Sequence, residues 1–270
     1  MRLVGGKECY QVDCDSVTAR GFMYTADELA TALEGPAGEI IRDDAGNVTV
    51  EEILVGVADT GFAQEGVRRI VSSNRAPEDW RVGEALAECR LRDGHECSFP
   101  WPAGRDQKNP DSSPPGADLV GFQKTTRKDH PHRFAFGEVK TSNEEKWPPQ
   151  VMYGRHGLIQ QLESLRDQVD VKNHLVKYLT HRASNASWLP QHKEAARRYL
   201  ADPTDVSLFG VLVRDVTPKD DDLRTRAKAM AKGCPKLTSV HLTAMYLPPK
   251  SIDGIGKRVR LTKEERRARN

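Results

Sequence analysis

The stretch FAFGEVKTS, residues 134–142, decides how the chain is to be read. Strands that are apolar on both sides are normally buried between two layers of a domain. Glu138 and Lys140 stand two positions apart in this run, so side-chain alternation puts both on one side of the strand. Phe134 and Phe136 share that side, which argues against a fully solvated face. An edge strand or an internal ion pair is the plain explanation, but buried charges are usually paired or functional. The two charges sit where an apolar face ends.

The surroundings supply a sheet. ADLVGFQ and HRFAFGEVKT are short apolar runs separated by the polar KTTRKD, the pattern of two strands and a turn. Upstream, WRVGEALAECRL places Val82, Ala85, Leu86 and Cys89 on one helical stripe, and HECSFPW has the character of a short strand. AGRDQKNPDSSPPG is a loop by its proline, glycine and polar content. After the stop at Trp147 to Pro149, helical spacing resumes in QVMYGRHGLIQQLESLRDQV despite Gly154 and Gly157. It runs to about Leu200, with a break near Ser184 to Pro190. The last third reads strand, helix, strand: VSLFGVLVRDV, DDLRTRAKAMAKG with Gly233 as a C-cap, and TSVHLTAMYL. Alternating strands and helices predict an α/β protein. Residues 1–75 mix strand-like pieces with helical ones such as TADELATALEG, where Thr25 caps a helix from about Ala26.

Asp118 opens the first of the paired strands. An Asp at a loop-to-strand junction is often only a turn residue. If the strands are neighbours, however, Asp118 lies beside Glu138 with Lys140 next along, giving two oxygen ligands and one cation at one spot. Oxygen-only ligation suits a hard ion such as Mg²⁺, completed by waters and a substrate phosphate. On the preceding helix Glu84 and Glu88 are one turn apart, and either could point over the sheet. An exposed flank accounts for at least one of them. Glu84 is preferred because Gly83 beside it permits close backbone approach.

A helix Glu, a strand Asp, then Glu-x-Lys on the next strand and a further helix resembles the PD-(D/E)XK nuclease superfamily, with Glu84, Asp118, Glu138 and Lys140 in the motif positions. Thr141-Ser142 also recurs in that superfamily, and the resemblance covers about residues 80–170. Ala117 stands where many members have proline. The glutamine motif of some branches has no good match at Gln150-x-x-Tyr153, whereas Gln160 and Gln161 lie on the right helix. The resemblance implies a restriction-endonuclease-like αβββαβ core over 76–215, an N-terminal α+β subdomain over 1–75 and a helix-strand extension over 216–255. A basic tail then occupies 256–270. It implies Mg²⁺ (or Mn²⁺) held by Asp118, Glu138 and Glu84, with Lys140 and Gln161 completing the catalytic set for hydrolysis of DNA.

GEALAECRL, GADLVGF, FGEVKTS and the closing strand-helix-strand ending HLTAMYLP are further similar to the HamA family, the nuclease subunits of bacterial Hachiman anti-phage defence. That likeness implies a superfamily 2 helicase partner of the HamB kind. A stand-alone restriction-like or junction-resolving nuclease would carry the same motifs. A non-catalytic DNA-binding subunit would be expected to lose part of the acidic set or the lysine, and all are present.

Composition limits the remaining classes. With 270 residues, 41 Lys plus Arg against 39 Asp plus Glu and a net charge of +2, no global basic footprint for nucleic acid exists, so any basic surface is local. The tail GKRVRLTKEERRARN carries seven Lys or Arg against two Glu and could follow a phosphate backbone or simply be solvated. The five cysteines form no CxxC pair and suggest reduced thiols. The N-terminus lacks an apolar signal core, and no run approaches the roughly 18 apolar residues of a membrane span. A cytoplasmic protein is the expectation. His130-Pro131-His132 with Asp129 and His95 raises a zinc alternative, but the histidines lack helical i, i+4 spacing and Pro131 implies a turn.

Overall fold

The computed structural model describes residues 5–71, 76–106 and 116–259. The basic tail beyond 259 and most of the proline-rich loop lie outside the described residues. The chain is α/β, built on a mixed sheet of seven strands in the order β1-β2-β7-β6-β5-β4-β3. These are β1 (Lys7–Cys14), β2 (Val17–Met23), β3 (Cys97–Ser98), β4 (Leu119–Lys124), β5 (His132–Ser142), β6 (Val206–Arg214) and β7 (Ser239–Tyr246). β3, β4 and β5 form an antiparallel meander, and β5, β6, β7 and β2 run parallel. The N-terminal hairpin of β1 and β2 joins the same sheet through β7. Every residue of central β6 is buried, as its near-continuous apolar run requires of a parallel strand covered on both faces.

Helices cover both faces. The N-terminal set is α1 (Ala26–Glu34), α2 (Pro36–Arg42), α3 (Asp44–Val55) and α4 (Gly61–Val71), followed by the long α5 (Asp79–His95). Thr25 caps α1 as expected, in a capping box with Glu28. The stripe Val82, Ala85, Leu86 and Cys89 of α5 is buried against Ala135, Val139 and Val211 of the sheet. On the other face lie α6 (Leu158–Asp167), α7 (Val169–Ala183), α8 (Leu189–Ala201) and α9 (Arg224–Ala231). Leu158 and Leu162 of α6 pack there with Phe134 and Phe136.

One expected element starts later than its periodicity suggests. The helix after Pro149 begins at Leu158, preceded by a single 3-10 turn at Gln150–Met152. Gly154 has a φ of 78° and a Cβ on Gly157 would meet the Tyr153 backbone, so this turn uses conformations that an α-helix does not offer. Among the described residues no helix is long and apolar enough to cross a membrane.

Candidate active site

Pairing of β4 with β5 ends at Leu119↔Gly137. Beyond this point β5 has no ladder partner on that side, and the carboxylate of Asp118 takes its place: Val139 N–H donates to Asp118 Oδ2 at 2.8 Å. That bond brings Asp118 against Glu138, whose carboxyl is raised by burial and then by the Asp118 charge. One Glu138 oxygen, Oε2, is buried with no hydrogen-bond partner. Lys140 Nζ stands 3.8 Å from it, too far for a direct bond and suited to an intervening oxygen. The expected juxtaposition of Asp118, Glu138 and Lys140 is thus present.

Helix α5 approaches from the other side. A Cβ on Gly83 would fall on the Thr141 hydroxyl, so glycine is what lets the helix lie this close to β5. Glu84 follows and is buried. Its Oε2 accepts from Arg81 Nη1 at 2.6 Å. Burial and then the Asp118 charge raise the Glu84 carboxyl to about 7, while Arg81 and Lys140 work against the rise. Glu88 is also raised to about 7, by burial, but its opposing charges are Arg92 and Arg81 and it is not drawn into the carboxylate group. Its own partner is Arg92, at 3.8 Å. Of the two glutamates, Glu84 belongs to the cluster.

The electrostatics describe a site short of positive charge. Burial and then Asp118 push the Glu138 carboxyl up, with Glu84 adding to the rise, and burial raises Asp118 as well. Two facing carboxyls in a low-dielectric setting cannot both ionise cheaply, which is the direction in which both are shifted. One or two carboxylates, with waters and a phosphate, are the usual protein share of a Mg²⁺ shell. Asp118 and the unpartnered Glu138 Oε2 fit that share. Among the described residues no group of three or more His, Cys, Asp or Glu is poised to hold a metal ion, and Glu84 is turned to Arg81. The converging carboxyls are therefore a pair, Asp118 and Glu138, with the Glu84 carboxyl behind them.

Gln161 lies on α6, whose Leu158 and Leu162 stand over Gly210, the ladder partner of Glu138. Its side-chain carbonyl is buried without a hydrogen-bond partner. The histidines separate: His132 pairs with Glu194 at 2.7 Å, whereas His95 packs against Phe209 and His241. Arg81 is the site residue that sequence reasoning did not single out. Its i, i+3 relation to Glu84 was visible, but such pairs are common on helix surfaces.

No protein-family model matches the chain, and a search of curated proteins finds no match.

Proposed function

We propose that this chain is a metal-dependent DNA nuclease of the PD-(D/E)XK type, acting as the effector subunit of an anti-phage complex with a helicase partner. The observation that carries the reading is the meeting of Asp118 and Glu138 at the end of the β4–β5 ladder, with Glu138 Oε2 unpartnered and Lys140 beside it. The element order α5-β3-β4-β5-α6, then β6 parallel to β5, supports a restriction-endonuclease-like core. The HamA likeness of the motifs supports the defence role. A chain of net charge +2 offers few phosphate contacts of its own, which fits a partner that brings the DNA.

Asp118 and Glu138 would hold Mg²⁺ or Mn²⁺. Such an ion supplies positive charge against the phosphate and makes water a stronger acid. Asp118 is oriented by the Val139 amide, which fixes one oxygen toward the strand and leaves the other for a ligand. Glu138, raised by burial and by Asp118, would hold such an ion through its ionised carboxylate, which bound positive charge would favour. Lys140 donates a hydrogen bond to the attacking water or to the phosphate oxygen on which charge grows. Glu84, held by Arg81, completes the negative field and can accept a proton near neutral pH.

Plasmid nicking in Mg²⁺ by wild type, Glu138→Ala and Lys140→Ala, with thermal melts of each, tests the assignment. Both variants are expected to fold and to lose activity by about a hundredfold or more. Cleavage by either at the wild-type rate refutes it.

A further inference from the structure

Arg81 has a second face. Besides its bond to Glu84 it lines a cleft of about 730 Å³ between the N-terminal helices and the start of α5. This volume is that of a ligand-sized pocket, and Arg81 is the residue that joins its wall to Glu84 of the carboxylate group. Two indole side chains, Trp80 and Trp101, stand on its walls, with isoleucine and valine side chains from α2, α3 and α4 around them.

Its charges are largely matched within the protein. Arg105 is bidentate to Asp43 at 2.6 and 2.7 Å, Arg42 meets Asp44 at 3.2 Å, and Arg81 holds Glu84. Glu78 also lines the wall. A cleft so balanced attracts little by charge alone and offers rings and apolar surface instead. The described chain leaves the cleft at Val259, and the next eleven residues, RLTKEERRARN, include five Lys or Arg against two Glu. Aromatic walls beside a phosphate-cutting site, with a basic sequence starting at the rim, match a ligand that carries both flat rings and negative charge.

We propose that this cleft binds unpaired nucleotides of the substrate strand next to the scissile phosphate, stacking bases on Trp80 and Trp101 while Arg81 bridges cleft and carboxylates. The proposal rests on the nuclease reading of the neighbouring site. Bases present their faces only when unpaired, so the cleft selects a single-stranded or frayed segment over a closed duplex.

The test is fluorescence anisotropy with the full chain in EDTA, which separates the cleft from any metal at the carboxylates. Probes are a blunt DNA duplex, the same duplex with a short dT overhang at either strand end, and overhangs built of abasic residues. The dT overhang should bind more tightly than the blunt duplex, and the abasic overhang should lose that advantage. Trp80→Ala and Trp101→Ala should each weaken overhang binding roughly five- to a hundredfold, the range for loss of one stacked base, with Trp80→Tyr retaining most of it. The abasic comparison needs no variant and holds even if an alanine substitution unfolds the chain. Equal affinity for blunt, dT and abasic probes overturns the proposal, as do folded tryptophan variants that bind overhangs like wild type. A chain that binds overhangs yet cuts nothing in Mg²⁺ keeps the cleft and loses the nuclease reading. One that nicks plasmid but ignores overhangs does the reverse.

Discussion

Replacing Glu138 by glutamine should stabilise the metal-free protein above neutral pH while abolishing cleavage. A carboxyl whose pKa is raised on folding keeps its proton in the native state where the unfolded chain has lost it. The native state then binds more protons, and stability falls as pH rises from about 4.5 through the folded value. Glu84, raised from its ordinary 4.5 to about 7, loses on this account about 3 kcal/mol across that window, at ~1.36 kcal/mol per pH unit. Glu138 is raised by burial, by Asp118 and by Glu84 together, so its cost is of at least the same order. Glutamine is neutral at every pH and its amide can donate to Asp118 as a protonated carboxyl would. At pH 8 in EDTA, Glu138→Gln should therefore melt about 5–10 °C above wild type, given about 2–4 °C per kcal/mol for a chain of this size. At pH 5 the two should agree within about 1 kcal/mol, since that pH lies only about half a unit above the unfolded value of 4.5 and most of the loss comes at higher pH. Circular-dichroism melts at the two pH values measure this directly. A variant that melts with or below wild type at pH 8 would show that Glu138 is not strained by its neighbours, and the account of the site would fail.

Activity should require Mg²⁺ or Mn²⁺ and vanish in EDTA, with Ca²⁺ supporting binding but little cutting, because the proposed ligands Asp118 and Glu138 offer only oxygens and would leave the rest of an octahedron to water and phosphate. Zinc-dependent cleavage surviving Asp118→Ala would contradict this in the same nicking assay. Glu84→Gln should lower the cleavage rate by tenfold or more, whereas Glu88→Gln, removed from the carboxylate group, should leave it within about twofold; the reverse order would move the third carboxylate to Glu88. Co-expression with the product of the neighbouring gene, followed by size-exclusion chromatography and nicking with and without ATP, should yield a complex whose cleavage responds to ATP. A solitary chain, fully active on duplex DNA at physiological salt, would remove the helicase partnership.

The carboxylate pair was legible because alternation along one strand and the order of two adjacent strands suffice to bring Asp118, Glu138 and Lys140 together. Only the register remained, and Leu119↔Gly137 supplies it. Gly83 was legible as a point of close approach, though not that Thr141 is what it approaches. Arg81 was not legible as a cleft residue. The cleft requires α2, α3 and the segment after β3 to converge on the start of α5, and nothing local to WRVGE reports contacts so distant in sequence. The place of β1 and β2 was hidden for a similar reason: strand propensity is local, but the choice of β7 as partner is made across nearly the whole chain. The late start of α6 shows the opposite failure, where a periodic apolar pattern continued through two glycines that the backbone uses for turning.

Why the carboxylates meet where they do follows from a ladder that stops short. Had β4 extended past Leu119, its backbone would have taken the Val139 amide and Asp118 would have lost the bond that orients it. The shortened strand leaves one amide for a side chain, and the absence of a Cβ at Gly83 lets α5 bring Glu84 behind the pair. The same features gather negative charge with too little positive charge to match it, since Arg81 is committed to Glu84 and Lys140 stays 3.8 Å from Glu138. The local fold is thereby less stable than an apolar filling would be, and the deficit is one that a bound cation would remove. On the proposed reading, a strand end that gathers unmatched negative charge would be relieved by a cation and a phosphate, which is why the stability of Glu138→Gln and the loss of its activity are expected to travel together.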